Sequence, residues 1–175
     1  MSKSIPRRMA NRLLHSLARM SPGATSLRPF LHRARGVQVG TDVFIGDDVY
    51  IDNEFPECIE IHDRVQISLR AILIAHTRGP GRIVIEKEAF VGPNCVLVCG
   101  AGRALRIGAG AVIGAGSVIT KSVAPGIYVA PPAPHPMARV GVPLPIAATM
   151  EEFWAGLTPL KPREPKTPES SGAES

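Results

Sequence analysis

The sequence predicts a mainly β fold: a parallel β-helix of about four coils, with a short helical arm before it and a C-terminal extension after it. Three observations predict it: a six-residue repeat of aliphatic residues, insertions that recur at one place in that repeat, and a composition poor in aromatics. Of the 175 residues 45% are apolar and 5% aromatic. Small and β-branched aliphatics therefore carry the core, which favours stacked short strands over a mixed α/β interior. With 17 Gly and 17 Pro, turns are frequent.

Written in sixes, the middle of the chain reads VQVGTD, VFIGDD, VYIDNE, then IEIHDR, VQISLR, AILIAH, then IVIEKE, AFVGPN, CVLVCG, and last LRIGAG, AVIGAG, SVITKS. The third place of each unit is aliphatic: Val39, Ile45, Ile51; Ile61, Ile67, Leu73; Ile85, Val91, Leu97; Ile107, Ile113, Ile119. Within each triplet the spacing is six, and between triplets it is ten, twelve and ten. Three hexapeptides close one triangular coil, so every insertion falls at the same corner. The places two earlier hold Val, Ile, Ala, Cys, Ser or Leu, and the two-residue period of a strand turns both sets inward. A β-sandwich would space its strands at about eight to twelve residues with varied turns, not at a strict six.

Around this repeat the chain divides into a basic arm over 1–35, the β-helix over 36–123, a Pro-rich strap with a short helix over 124–160 and a disordered tail over 161–175. In the arm, RRMANRLLHSLARM sets Met9, Leu13, Leu14, Leu17 and Met20 on one helix face, ending at Ser21-Pro22-Gly23; a second short helix covers 26–34. Residues 1–41 hold eight basic residues and no acid, so they carry +8 of a net +5 and the rest carries −3. Such an arm lies on an anionic membrane surface or caps the open first coil with its arginines solvated; the cap is the favoured reading, and the two roles are compatible. After Thr120 comes VAPGIYVAPPAPHP, and a short helix is expected around Met150–Leu157. The composition of the last residues is that of a disordered segment.

No run of about 18 apolar residues exists to cross a membrane. The first residues lack a signal-peptide pattern, so the expected location is the cytoplasm. Cys58, Cys95 and Cys99 form no CxxC, which leaves reduced thiols as the default. No metal is expected. Basic residues gathered in one helix without interleaved aromatics argue against nucleic acid.

The stretch AFVGPNCVLV…RIGAGAVIGAGSVITKSVAPGIYVA resembles the signature of hexapeptide-repeat acyltransferases, closest to galactoside and maltose type O-acetyltransferases and the acetyltransferases of exopolysaccharide biosynthesis. YIDNEFPECIEIHDRVQISLRAILIAHT resembles the region upstream that holds their catalytic histidine. The likeness covers roughly residues 36–130. It implies a left-handed coil, a homotrimer with sites between subunits, acetyl-CoA as co-substrate and a saccharide acceptor. Carried over, His76 is the catalytic histidine and Asn53 an acceptor contact, with Asp52 and Glu54 beside it. Phe90, Gly114, Ala115, Thr120 and Lys121 would line the cofactor channel. Phe90 stands where many relatives have Trp. Pro93 stands where sugar acetyltransferases often offer a backbone N–H, which proline lacks.

The residues support this chemistry on their own account. His76 falls in the longest insertion, just past Leu73, on the corner where the insertions stack, with Asp52, Asn53, Glu54 and Glu57 in the loop below. Acetyl transfer from a thioester needs a base for the attacking hydroxyl, and a positioned histidine typically contributes about 10²–10⁴-fold. His62 reads as a surface residue and Asp63 as a turn residue. Gly and Ala in GAGS keep the outer face low for a long cofactor, and Lys121 is placed to meet its phosphates. Among rivals, a γ-class carbonic anhydrase needs three histidines around zinc, and the repeat holds only His62 and His76. A serine acetyltransferase would need a long helical N-terminal domain. An N-acetyltransferase acting on an amino-sugar nucleotide, or a non-catalytic trimeric scaffold, remains as the alternative.

Overall fold

The computed structural model describes residues 5–133 and 136–160, and the chain divides after Pro131 into two compact units. In the first unit two helices, α1 (Ile5–Met20) and α2 (Leu27–Ala34), precede a ladder of short parallel strands. Three sheets form the sides of a solenoid. One holds β1 (Gln38–Val39), β4 (Ile59–Ile61), β7 (Arg82–Ile85) and β10 (Ala104–Ile107). The next holds β2 (Phe44–Ile45), β5 (Gln66–Ile67), β8 (Phe90–Val91), β11 (Val112–Ile113) and β13 (Tyr128–Val129). The third holds β3 (Tyr50–Ile51), β6 (Ile72–Thr77), β9 (Val96–Gly100) and β12 (Val118–Ile119).

Register follows the repeat. Ile45 pairs with Ile67, Ile67 with Val91, and Ile51 with Leu73. Eleven of the twelve third-place aliphatics are buried, Ile51, Ile67, Leu73, Ile85, Val91, Leu97, Ile107 and Ile113 completely, and Val39 is half-buried against the core. The positions two earlier, from Val37 and Val43 to Ala111 and Ser117, are buried as well. Both inward sets of the period-two reading thus fill one continuous core. Two of the three corners are tight turns that pass one residue through the left-handed region, for instance Asp48 at φ 56° and Asn94 at φ 55°. In the last coils glycine takes that place, as at Gly110 and Gly116.

Two features depart from the sequence-based expectation. The ladder does not stop at Val123. Ala124-Pro125-Gly126 makes one more tight turn, and Tyr128 and Val129 pair with Val112 and Ile113. The residues expected to form an extended strap at this point thus add a further rung. The second departure lies in the arm. The predicted apolar face of α1 points to solvent, and the residues it buries are Asn11, His15 and Ala18. Arg28 and Arg35, expected to be solvated, are buried.

Their burial has a cause in the ladder. Each strand accepts hydrogen bonds on its carbonyls from the preceding coil, as Ile67 O does from Gly46 N at 2.8 Å. The first coil has no predecessor, so its carbonyls would be orphaned. The arm supplies one arginine per side: Arg33 Nε donates to Val39 O (2.9 Å), Arg28 Nη1 to Ile45 O (3.0 Å) and Arg35 Nη2 to Ile51 O (3.0 Å). The arm is therefore an end cap built from guanidinium groups as well as from apolar contact.

His15 and His32 complete the cap by presenting Nδ1 to Arg35 Nη1 at 2.8 and 3.0 Å. Burial, reinforced by the Arg35 charge, pushes each pKa from 6.5 down to about 3. Both rings are neutral when folded, while the unfolded chain takes up their protons below pH 6.5. Their contribution is therefore whole above pH 6.5 and is lost as the pH falls from there toward 3. At pH 5 each ring is expected to cost about 2 kcal/mol of stability. Urea unfolding at pH 7 and pH 5 checks this; a midpoint that holds steady would mean the rings charge without resistance.

The second unit is small. A two-stranded antiparallel pair joins β14 (Ala138–Val140) to β15 (Leu157–Pro159), enclosing α3 (Met150–Ala155). Thr149 caps α3 by accepting from Glu152 N at 3.1 Å, and Glu152 in return accepts from Ala148 N at 2.7 Å, a reciprocal cap. The tail expected to be disordered lies outside the described residues.

Candidate active site

The insertions all fall between the third sheet and the first. At this corner β3 ends at Ile51, and the next residue, Asp52, continues the ladder by donating its N–H to Leu73 O at 3.0 Å. One coil on, the chain does not turn at Leu73. β6 runs on to Thr77, with an irregularity in the pairing between Ile74 and Thr77. His76 therefore sits on an extended strand and not in a loop, and such a bulge is a common device for re-aiming a side chain.

The ring is aimed at Asp52. His76 Nδ1 lies 2.5 Å from Asp52 Oδ2, which also accepts from Ala75 N at 2.7 Å. The other carboxylate oxygen closes an Asx turn, accepting from Glu54 N (2.9 Å) and Phe55 N (3.0 Å). Asp52 is fully buried. Burial alone would raise its pKa, but the hydrogen bonds from His76, Phe55 and Ala75 outweigh it, and the carboxyl is held below its ordinary value. An ionised carboxylate only accepts, so His76 Nδ1 carries a proton, and in the neutral ring Nε2 is then the nitrogen with the lone pair. That is the tautomer a general base requires. The Phe55 ring stands 6.0 Å from the imidazole and covers one side of it.

His76 opens into a groove of about 630 Å³ on the outer face of the third sheet, lined by Tyr50, Ile72, Ile74, Arg19, Asp48, Arg70 and Asn94. Its floor is apolar and its rim polar. Arg19 of α1 reaches Asp48 at the rim, with Nε 2.7 Å from Oδ1. Arg70 and Asn94 stand on tight corners in the left-handed conformation.

The other residues singled out from sequence are placed differently. Asp52, expected at the acceptor, lies behind the histidine with both oxygens engaged, so it positions the base. The Asn53 side chain accepts from Arg35 Nη2 at 3.1 Å, and its carbonyl accepts from Asn11. Glu54 pairs with Arg8 at 3.1 Å and Arg12 at 3.6 Å. None of the three lines the groove: His76 and its own loop engage the Asp52 carboxylate, and the arm, whose docking the sequence does not reveal, engages Asn53 and Glu54.

The cofactor candidates fall into two groups. Thr120 and Lys121 line a pocket of about 300 Å³ with Arg103 and Ser122, at the corner that carries His76 but two coils further on. Phe90 is on the second sheet, level with Gln66 and Val112. Gly114 and Ala115 form a corner of that sheet, where a Cβ on Gly114 would lie 2.8 Å from Ala130 Cβ and 3.0 Å from the Tyr128 hydroxyl. Packing of the last rung thus requires Gly114. The two groups occupy different edges of the solenoid.

His62 hydrogen-bonds Glu60 (2.7 Å), and Asp63 accepts from Thr41 N (2.7 Å), a turn contact. The functional residue that sequence reasoning missed is Arg35. Besides capping Ile51 it donates to Asp52 O at 2.8 Å and to Asn11 Oδ1 at 2.7 Å, fixing the loop that holds the dyad. Burial lowers its pKa to about 10, which leaves it cationic at neutral pH. Nothing in the sequence distinguishes it from the other arginines of the arm.

No family model matches the chain. Over 111 residues it is 32% identical to the bifunctional protein GlmU of Acidovorax sp., covering 56% of this chain and 22% of that protein. The bifunctional protein GlmU of Polaromonas sp. is 31% identical over the same length. The chain thus spans 22% of the length of these curated relatives. Among solved structures it is similar to a maltose O-acetyltransferase from Clostridium difficile 630, at a TM-score of 0.54 and 16% identity, with 73% of this chain and 82% of that one covered. At that identity the likeness is one of fold.

Proposed function

The chain is a hexapeptide-repeat β-solenoid, and from that premise we propose that it moves an acetyl group from acetyl-CoA to an acceptor hydroxyl, with His76 as general base. The observation that carries the reading is the buried, ionised Asp52 fixing the imidazole as the Nδ1–H tautomer beside an open groove. In the step proposed, His76 Nε2 takes the hydroxyl proton as the oxygen attacks the thioester carbonyl. The new C–O bond forms, the C–S bond breaks, and the imidazolium returns the proton to the leaving thiolate. Asp52 stabilises the transient imidazolium through Nδ1–H, and no covalent enzyme intermediate is needed. The groove's apolar floor and polar rim suit a saccharide.

Acetyl-CoA is read as the donor because Thr120, Lys121 and Arg103 share a pocket on the corner of His76, where cations and a hydroxyl can meet phosphates. Phe90, Gly114 and Ala115 stand on another edge. In the homotrimer we infer, a channel between subunits would take one group from each of two neighbouring chains.

Thiol release from acetyl-CoA, measured against sugars and amino-sugar nucleotides, tests the reading. Acceptor-dependent release supports it. Alkaline hydroxylamine then separates the outcomes, cleaving an O-acetyl ester and leaving an N-acetyl amide. Absence of release with every acceptor, together with no calorimetric binding of CoA, would replace the enzyme with the scaffold alternative.

A further inference from the structure

The face of α1 that the fold leaves uncovered has a composition of its own. Ile5, Met9, Leu13, Leu17 and Met20 run along one side of the helix, each between 50 and 87% exposed. They recur at intervals of four, four, four and three, which keeps them in one stripe about 24 Å long. The opposite side, through Asn11, His15 and Ala18, is fixed to the solenoid. The helix is thus docked by its polar side and turned apolar side out, the reverse of a helix whose apolar stripe serves the core.

By their helical angles Arg8, Arg12 and Arg19 border this stripe along one flank, while Arg7 lies toward the docked side, lining a pocket with Asn11 and Arg35. The helix contains no acid. Glu54 meets Arg8 and Arg12, and Asp48 meets Arg19, so among the ion pairs of the described residues the three arginines of this flank meet two carboxylates and keep a positive excess. At 16 residues with four arginines the helix is neither long nor apolar enough to cross a bilayer. An apolar stripe flanked by a row of arginines is instead the arrangement that lies in the plane of a bilayer interface.

We propose that this face of α1 docks on an anionic lipid surface, the stripe entering the acyl boundary and the arginines meeting headgroup phosphates. Charge decides between this occupant and a second copy of the chain. Two copies joined stripe to stripe would set arginines against arginines, since a two-fold contact pairs each patch with itself. A negative surface removes that opposition.

The test uses the full chain and sedimentation with vesicles of phosphatidylcholine alone, or with roughly a third phosphatidylserine, at about 0.1 M salt. Binding to the anionic vesicles is expected to exceed binding to the neutral ones by at least about tenfold. Leu13→Glu with Leu17→Glu is expected to abolish it, while circular dichroism and thiol release stay unchanged. Arg8→Ser with Arg12→Ser is expected to remove the preference for phosphatidylserine. No binding by the wild type, or binding that survives the double glutamate variant, overturns the proposal. So does a wild type that ignores vesicles but falls to a smaller particle, by light scattering, in that variant; the stripe is then a contact between copies. None of these outcomes bears on the acetyl-transfer reading.

Discussion

Replacing His76 by alanine is expected to reduce acetyl transfer by about 10²–10⁴-fold, with a stability loss of no more than about 1–3 kcal/mol from the donor that Asp52 loses. The side chain is about one-third exposed and contributes one hydrogen bond to the structure, so the fold does not depend on it. The loss should appear in kcat, because the proton leaves the acceptor only as the bond forms. Asp52→Asn separates the two halves of the dyad. The amide keeps the shape but presents no charge to an imidazolium and no longer obliges Nδ1 to carry the proton, so the rate should fall while the acceptor KM holds. Steady-state kinetics of the two variants beside thermal unfolding check both points. An H76A enzyme that retains most of its rate would remove the histidine from the mechanism.

The second large effect is expected at Arg35→Met, far from any acceptor. The methionine fills much of the same space, but Ile51 O, Asp52 O, Asn53 Oδ1 and Asn11 Oδ1 each lose a buried cationic donor. Buried acceptors left unsatisfied cost about 1–3 kcal/mol each; with partial relaxation the whole loss should be at least about 3 kcal/mol, read as a lowered unfolding free energy in urea. The dyad should suffer as well, since the Asp52 carbonyl is anchored there while its carboxylate holds His76. Lysine supplies a single nitrogen and is expected to recover only part of either effect. Wild-type stability in the methionine variant would mean that water takes the place of the guanidinium without cost.

The solenoid was legible because its signal is repeated and local. Every third-place aliphatic is an independent vote for the same register, and the one recurring corner for insertions survives any single misreading. His76 was legible for a related reason, since its position follows from counting along the ladder. The same counting places Asp52 beside residues 74–76, so its role behind the ring was available in the register and hidden only by reading the insertion as a loop. The arm was a different problem. A stripe such as Met9, Leu13 and Leu17 reads as a buried face by periodicity alone, because burial is the usual fate of such stripes. What overrode it was the unmet demand of three backbone carbonyls on the first coil, a demand that belongs to the assembled ladder. Asn53 and Glu54 were misplaced for the same cause, their partners being arginines some 18 to 46 residues earlier in the chain.

A parallel ladder has no intrinsic reason to stop. The rung at either end offers the groups that bind the next rung, and an identical molecule carries the same groups. A bare first coil would be a template for end-to-end growth, with strands of successive molecules stacking into a filament. Arg28, Arg33 and Arg35 occupy one carbonyl on each of its three sides. They close that end with charged groups that no incoming strand can imitate or displace cheaply. The arm therefore does more than hold the first coil in place: it withdraws that end of a fibre-like architecture from end-to-end growth.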